Sequence, residues 1–152
     1  ITYISIYLFM NLAFFSCLFM LRRDEKYFEK IEDLSGLSKN HPILSFSFLI
    51  VLFSLAGIPP LVGFFAKFYI FTAVVEQSMY SLAIIGLLST VIAAFYYLRI
   101  IKVIYFDPEK EKYEKNHNIG LKISLAFSTI FILFYFIYPS RLIEIIEKIN
   151  II

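Results

Sequence analysis

The sequence predicts an all-α polytopic membrane protein with four transmembrane spans, the second of them a discontinuous helix, and a C-terminal amphipathic interfacial helix. Three observations carry this prediction: 60% of the 152 residues are apolar or aromatic, only 17% are charged, and the mean hydropathy is +0.78. Soluble domains have about 45–50% apolar and about 25% charged residues. A chain this small cannot cover so much apolar surface with its own core. Lipid is therefore the expected surrounding of most residues, which excludes a disordered chain, an ordinary soluble enzyme and a nucleic-acid-binding domain.

The first apolar run, residues 1–21, carries no charge and has about the length of one bilayer-spanning helix. The run starts at Ile1 with no basic segment before it, so a signal peptide is not expected. We expect residues 1–152 to be one membrane domain, the C-terminal part of a longer polytopic protein. After Arg22, the polar stretch to His41 is predicted to form a short surface helix closed by Gly36.

The second apolar run, residues 42–75, is too long for one straight span and contains no polar turn. Two adjacent prolines remove two backbone donors, and a proline inside a helix costs about 3 kcal/mol. We predict that one helix ends near Gly57 and that another begins at Pro60, where proline is harmless. Where a helix is broken at membrane depth, the backbone N–H and C=O groups that lose their partners must be bound by protein or water. The predicted break comprises Gly57, Ile58, Pro59, Pro60 and Gly63.

The third and fourth spans are predicted at residues 80–106 and 120–138. Pro139 and Ser140 end the fourth span, and the tail that follows them, residues 141–152, is predicted to be an amphipathic helix at the interface. Its apolar residues recur at helical spacing: Leu142, Ile145, Ile146 and Ile149.

Basic residues are concentrated on one side of these spans. Because spans alternate in direction, the loops after the first and third spans share a face, and eleven of the fourteen basic residues belong to that face: Arg22, Arg23, Lys26, Lys30, Lys39, Arg99, Lys102, Lys110, Lys112, Lys115 and Lys122. The other face has Arg141 and Lys148. Since positive charge marks the cytoplasmic side, both ends of the chain are expected on the opposite side. A solvated loop of mixed charge explains the interleaved acidic residues better than a binding surface does.

Lys67, the fourteenth basic residue, belongs to neither face and lies within the second apolar run, well away from its ends. A lysine at the bilayer centre costs about 2.5–3.5 kcal/mol, and such residues are functional candidates by default. The alternative is a lysine that snorkels to the interface, which suits helix ends. Because desolvation penalises the charged form, a lysine poised between its charged and neutral forms can relay protons if water reaches it. We therefore predict Lys67 as a proton relay.

Polar residues near this lysine could order a chain of water molecules, although ordinary helix packing is the commoner role of such residues. The candidates are Ser54, Thr72 and Tyr97, with Tyr69 and Ser89 in addition. No acidic residue lies inside a span, so the counter-charge of Lys67 is expected from elsewhere in the protein or from another subunit. The single cysteine, Cys17, has no Cys or His neighbour, and we expect neither a metal nor a cofactor site in this chain.

Four motifs resemble a known family. They are Asp33-Leu34-Ser35-Gly36-Leu37, His41-Pro42, the continuous segment from Ser54 to Tyr69, and Ala94-Phe95-Tyr96-Tyr97-Leu98-Arg99. Together they resemble the antiporter-like membrane subunits of proton-translocating NADH:quinone oxidoreductase, respiratory complex I. The Gly-Ile-Pro-Pro break followed by a lysine is typical of the whole group, and the two aromatic motifs favour the subunit N type. The resemblance is close over about residues 30–105.

The resemblance implies fourteen spans in two inverted repeats, of which this chain would form the last four. It also implies that Lys67 belongs to a central polar axis of proton transfer and that the other membrane-arm subunits are partners. NADH, flavin, iron–sulfur clusters and quinone would then be bound by other subunits, and the location would be the bacterial inner membrane in preference to the mitochondrial one. Two alternatives remain: a subunit of an Mrp-type cation/proton antiporter, and a structural membrane subunit without a transport role.

Overall fold

The structure is a computed structural model that describes residues 2–22, 30–109, 114–115 and 118–135. Within these residues there are six helices and one 3-10 turn at Ile31–Leu34. The helices are α1 (Thr2–Phe19), α2 (Leu37–Asn40), α3 (Pro42–Ala56), α4 (Val62–Glu76), α5 (Tyr80–Phe106) and α6 (Ile119–Phe134). Two short strands, β1 (Leu21–Arg22) and β2 (Glu114–Lys115), pair antiparallel. The all-helical architecture is confirmed, apart from this two-residue ladder.

Helix α3 lies at the centre of the packing and contacts α1, α4, α5 and α6. Its buried residues divide between two clusters. Phe48 and Leu52 pack with Cys17 of α1 and Ile104 of α5, whereas Val51 and its neighbours pack with α1, α4 and α6. Helix α3 is thus enclosed on several sides, whereas the break that follows it reaches the surface, where Gly57 and Ile58 are half-buried and Pro59 and Pro60 are exposed.

Among the described residues, α5 is the one helix long and apolar enough to cross a membrane by itself. It has the bounds predicted for the third span, and the mean hydropathy of its best window is 2.0. The other apolar helices are shorter, namely Tyr3–Phe19 of α1, α3 and α6. Helices α3 and α4 have 15 residues each, about 22 Å at 1.5 Å per residue, because the break divides one long apolar run.

The connection before α3 differs from the predicted surface helix. Its described part consists of the 3-10 turn and the four-residue α2, and Gly36 stands at the start of α2 instead of closing a helix. Leu34 and Leu37 are buried, and the Gly36 N–H donates to the carbonyl of Val103 in α5. The periodic apolar residues therefore pack beneath the end of α5 and do not lie on a membrane surface. Residues 23–29 of the predicted helix lie outside the described residues.

The segments after α1 and α5 lie together, as expected from spans that alternate in direction. Leu21 pairs with Lys115 in the β1–β2 ladder, and the Ser35 hydroxyl donates to the carbonyl of Pro108 at 2.9 Å. Arg99 also contacts Glu32 at 3.6 Å, with both side chains about half exposed. An exposed pair of this kind contributes little to stability, in keeping with a solvated loop of mixed charge. Residues 136–138 of the predicted fourth span and the predicted tail helix lie outside the described residues.

Candidate functional site

Helix α3 ends at Gly57, whose backbone adopts the left-handed conformation that favours glycine. Gly57 has φ +86°, and its N–H donates to the carbonyls of Phe53 and Ser54 at 3.1 and 3.0 Å. The Ile58 N–H donates to the Phe53 carbonyl at 3.0 Å. This pattern is the Schellman ending of a helix, and it satisfies the first two of the four carbonyls that a helix leaves open at its end.

The second half-helix begins two residues later than the sequence predicts. Pro59 and Pro60, joined by a cis peptide bond, lie in a turn that the Leu61 N–H closes on the Ile58 carbonyl at 3.2 Å. Leu61 is then the extended residue before α4. The prediction of a helix start at Pro60 was wrong, because Pro59 and Pro60 both lie in this turn and α4 begins at Val62.

Ser54 joins the two half-helices. Its hydroxyl oxygen accepts a hydrogen bond from the Gly63 N–H at 3.1 Å, and its hydroxyl also lies 3.1 Å from the sulfur of Met10 in α1. Leu61, the residue before α4, has no side chain that caps this helix start, so Ser54 satisfies an amide that is otherwise left open. Ser54 is fully buried.

Lys67 completes the ending of α3. Its ammonium group donates to the carbonyl of Leu55 at 2.9 Å and to the carbonyl of Ala56 at 3.1 Å, which are the two remaining open carbonyls. The aliphatic stem of Lys67 lies across Gly57, where a Cβ would be 3.0 Å from the lysine Cδ. A cation at a helix C-terminus is favoured by the helix dipole. The ammonium group of this half-buried lysine is therefore bound to the end of α3.

Two cavities meet at Lys67. The phenylalanine cavity, about 520 Å³, lies on the α4–α5 side and is lined by Lys67 with Phe64, Phe68, Phe71, Thr72 and Thr90. The tyrosine cavity, about 190 Å³, lies on the α1 side and is lined by Lys67 with Tyr3, Tyr7, Ser89, Thr90 and Tyr97. The Lys67 side chain thus borders both cavities.

The structure brings some of the predicted polar residues to Lys67 and not others. Tyr97 and Ser89 line the tyrosine cavity, and Thr72 lines the phenylalanine cavity. Ser54 lies at the break, but its hydroxyl is engaged by Gly63 and Met10. The Tyr69 side chain lines neither cavity.

Four further polar residues at this site were not predicted from the sequence. Tyr3 and Tyr7 belong to α1, about sixty residues before Lys67, Thr90 belongs to α5, and Glu76, at the end of α4, lines the phenylalanine cavity. No local pattern marks them, because their position depends on how α1 packs against α4. Among the residues that the structure describes, no cluster of His, Cys, Asp and Glu could hold a metal ion.

Comparisons with known proteins give one consistent result. The family model described as NADH:quinone oxidoreductase/Mrp antiporter, transmembrane, matches residues 1–93. The chain is 75% identical over all its 152 residues to NADH-quinone oxidoreductase subunit N of Pelagibacter ubique, and covers 32% of that protein. It is 48% identical over 141 residues to subunit N of Parvibaculum lavamentivorans, covering 93% of this chain and 29% of the relative.

Among solved structures, a chain of respiratory complex I from Thermus thermophilus matches with a TM-score of 0.76 at 23% identity. The match covers 91% of this chain and 32% of that one. The chain thus spans about a third of the length of the relatives it matches, and the structural match establishes the shared fold.

Proposed function

Because the chain belongs to the NADH:quinone oxidoreductase/Mrp antiporter transmembrane family, we propose that it is part of a membrane-arm subunit of NADH:quinone oxidoreductase. In this role it takes part in proton translocation coupled to quinone reduction. The relatives are about three times as long as this chain, so the proposal concerns the share of such a subunit that these residues form.

The binding of Lys67 to backbone carbonyls is the observation that carries the proposal. Two carbonyls hold its ammonium group, and no carboxylate among the described residues forms a salt bridge with it. A neutral amine keeps two N–H donors, so both hydrogen bonds can persist after one proton leaves. Loss of that proton also leaves no unpaired buried anion behind. Lys67 can therefore change its charge without breaking the end of α3, which is what a proton relay requires.

The comparisons favour this function over the Mrp-type antiporter. The family model covers both groups, but the relatives that match over nearly the whole chain are named subunit N. NADH, flavin, iron–sulfur clusters and quinone then belong to other subunits of the complex. The partners of this chain are the neighbouring membrane-arm subunits and the lipid of the bacterial inner membrane.

Co-purification tests this assignment. An affinity tag on the full-length subunit should recover NADH-oxidising hydrophilic subunits from solubilised membranes, together with NADH-driven quinone reduction. A tag on an unrelated membrane protein of the same cells serves as the control. Recovery of cation/proton antiporter subunits without NADH oxidation would assign the chain to the Mrp type instead.

We also propose that the chain crosses the membrane four times, with the broken α3–α4 pair as one of the four spans. With eleven basic residues on one face, we expect a cysteine at Lys112 to react with a membrane-impermeant maleimide only from the cytoplasmic side. A cysteine at Lys148 should react only from the other side. The native Cys17 is fully buried and gives little background labelling. Reversed labelling would overturn the orientation.

A further inference from the structure

A further cavity lies between α1, α3 and α6, and Lys67 does not line it. Its volume is about 540 Å³, within the range of roughly 300–1,000 Å³ that is typical of ligand sites. Most of the residues that line it are apolar, among them Met20, Ile43, Ala126 and Ile130. We call it the rim cavity, because it lies at one end of these helices.

Three helix ends meet at the rim cavity. Met20 directly follows α1, His41 directly precedes α3, and Lys122 lies in the first turn of α6. Along α6, the lining runs from Lys122 to Ile130, a rise of about 12 Å. The hydrocarbon of one leaflet is about 15 Å thick, half of a bilayer core. In the orientation proposed above, the cavity therefore spans most of the cytoplasmic leaflet, with Lys122 at the level of the headgroups.

The rim cavity opens sideways. Ile43 is 84% exposed and Ile130 is 57% exposed, so the edges of the cavity on α3 and α6 are apolar and face outward. In a protein that spans a membrane, this direction is toward the hydrocarbon. An occupant can therefore enter from the bilayer without crossing a polar surface.

Lys122 supplies the positive charge of the rim cavity. Its side chain is exposed and, within the described part of the chain, makes neither an ion pair nor a hydrogen bond. None of the described residues that line the cavity is acidic, so they leave this charge unbalanced. Lysines at the surface of a membrane attract anionic headgroups. The charge and its position thus favour an anionic ligand.

Thr129 adds a hydrogen-bonding group two turns below Lys122. It is buried, and its hydroxyl has no hydrogen-bond partner in the structure, whereas the Ser47 hydroxyl donates to the Ile43 carbonyl at 3.2 Å. A buried hydroxyl without a partner is unfavourable. The ester carbonyls of a phospholipid lie deeper than its phosphate and are acceptors. The cavity thus has a cation at the surface, a hydroxyl deeper down and apolar walls, the order that a phospholipid requires.

We propose that the rim cavity binds one anionic phospholipid of the cytoplasmic leaflet, with its phosphate at Lys122 and an acyl chain against Ala126 and Ile130. The competing occupant is a helix of a neighbouring subunit. A helix about 10 Å wide and as long as the cavity fills about 900 Å³, which exceeds the volume of the cavity, whereas an acyl chain is narrower. The proposal uses the proposed membrane orientation and does not depend on the relay function of Lys67.

Photoreactive lipids test this site in the complete complex. The complex is reconstituted into vesicles with phosphatidylglycerol, which is anionic, or phosphatidylcholine, which is zwitterionic, each carrying a diazirine in one acyl chain. We expect the anionic probe to label Ile43, Ala126 or Ile130 several-fold more than the zwitterionic probe does. Lys122→Gln should lower labelling by the anionic probe about fivefold, which corresponds to about 1 kcal/mol. The matched control is Lys39→Gln, because Lys39 is exposed just before α3 and does not line the cavity. It should leave labelling unchanged.

A bulkier side chain separates this site from ordinary contact with the surrounding lipid. Ala126→Phe fills the cavity and should abolish the labelling of Ile43 and Ile130 by both probes. Ile123→Phe is the matched control, because Ile123 is exposed on the same helix but does not line the cavity, and it should retain the labelling. The comparison of the two probes on the unmodified complex decides the question if a variant assembles poorly.

Two results would overturn the proposal. Equal labelling of the cavity by both probes, insensitive to Lys122→Gln, would show that the lipid there is not selected by its charge. Labelling of Ile123 without labelling of the cavity would show that another subunit covers or fills it.

Discussion

Replacement of Lys67 by glutamine is expected to leave an assembled complex that translocates far fewer protons. Glutamine has two N–H donors on its amide and can still bind a carbonyl at the end of α3, but it cannot take up or release a proton. We expect the proton transfers that pass through this position to slow by about 100-fold or more. Because translocation is coupled to electron transfer, quinone reduction should slow as well. Proton uptake and NADH oxidation in membrane vesicles measure both effects.

Arginine and leucine at the same position distinguish the relay from a structural role. Lys67→Arg keeps the charge and the donors but holds its proton too tightly to release it, so it should assemble and be impaired. Lys67→Leu removes both hydrogen bonds and leaves the carbonyls of Leu55 and Ala56 without a side-chain partner. An unsatisfied buried polar group costs about 1–3 kcal/mol, so assembly should fall as well.

The exposed Lys102 gives a matched control for the loss of a lysine charge. It lies at the far end of α5 and pairs with Asp107 at 3.7 Å, and its side chain is 69% exposed. Lys102→Gln should assemble and pump normally. A Lys67→Gln variant with the yield and rates of this control would remove Lys67 from the mechanism.

Sequence alone suggests a different outcome for Lys67→Leu. A buried charge without a visible partner is costly, so its removal should not harm folding. The structure shows the partners: the end of α3 folds back against α4, and the lysine binds its last two carbonyls. Backbone carbonyls carry no sequence signal, and the fold-back angle depends on the packing of α1 and α5 around the break. The lysine could be singled out from its sequence, but its structural role could not.

In the rest of the fold too, local features could be predicted from the sequence, whereas features that depend on tertiary packing could not. The bounds of α5 follow from a long apolar run between polar ends, and the break follows from the chemistry of Pro59 and Pro60, because both signals are local. The segment before α3 was mispredicted since Tyr27, Phe28, Ile31 and Leu34 have the spacing of an amphipathic surface helix. Leu34 is instead buried beneath the end of α5, together with Leu37. Tyr3 and Tyr7 were missed because only the tertiary position of α1 brings them to Lys67.

Among substitutions that add one methyl group at the break, Gly63→Ala is expected to cause the largest loss of stability. A Cβ at Gly63 would lie 1.8 Å from the carbonyl oxygen of Ser54 and 3.0 Å from its hydroxyl oxygen. The first atom belongs to the backbone of α3, so no side-chain rotation can relieve the contact. The half-helices would have to separate, which breaks the bond from the Gly63 N–H to Ser54 and disturbs the lysine bonds across the same gap.

Overpacking of a core costs about 1–3 kcal/mol or more, and the lost hydrogen bond adds about 1 kcal/mol. Gly86→Ala is the matched control, because its Cβ would meet only the ring edge of Phe71 at 3.0 Å, a group that can move, and alanine favours a helix. Ser54→Ala removes the acceptor alone and should lie between the two, with a cost of about 1 kcal/mol. The yield and thermal dissociation midpoint of the purified complex should fall in the order Gly86→Ala, Ser54→Ala, Gly63→Ala. A Gly63→Ala complex as stable as Gly86→Ala would show that the half-helices are not held at this distance, and that Ser54 does not join them.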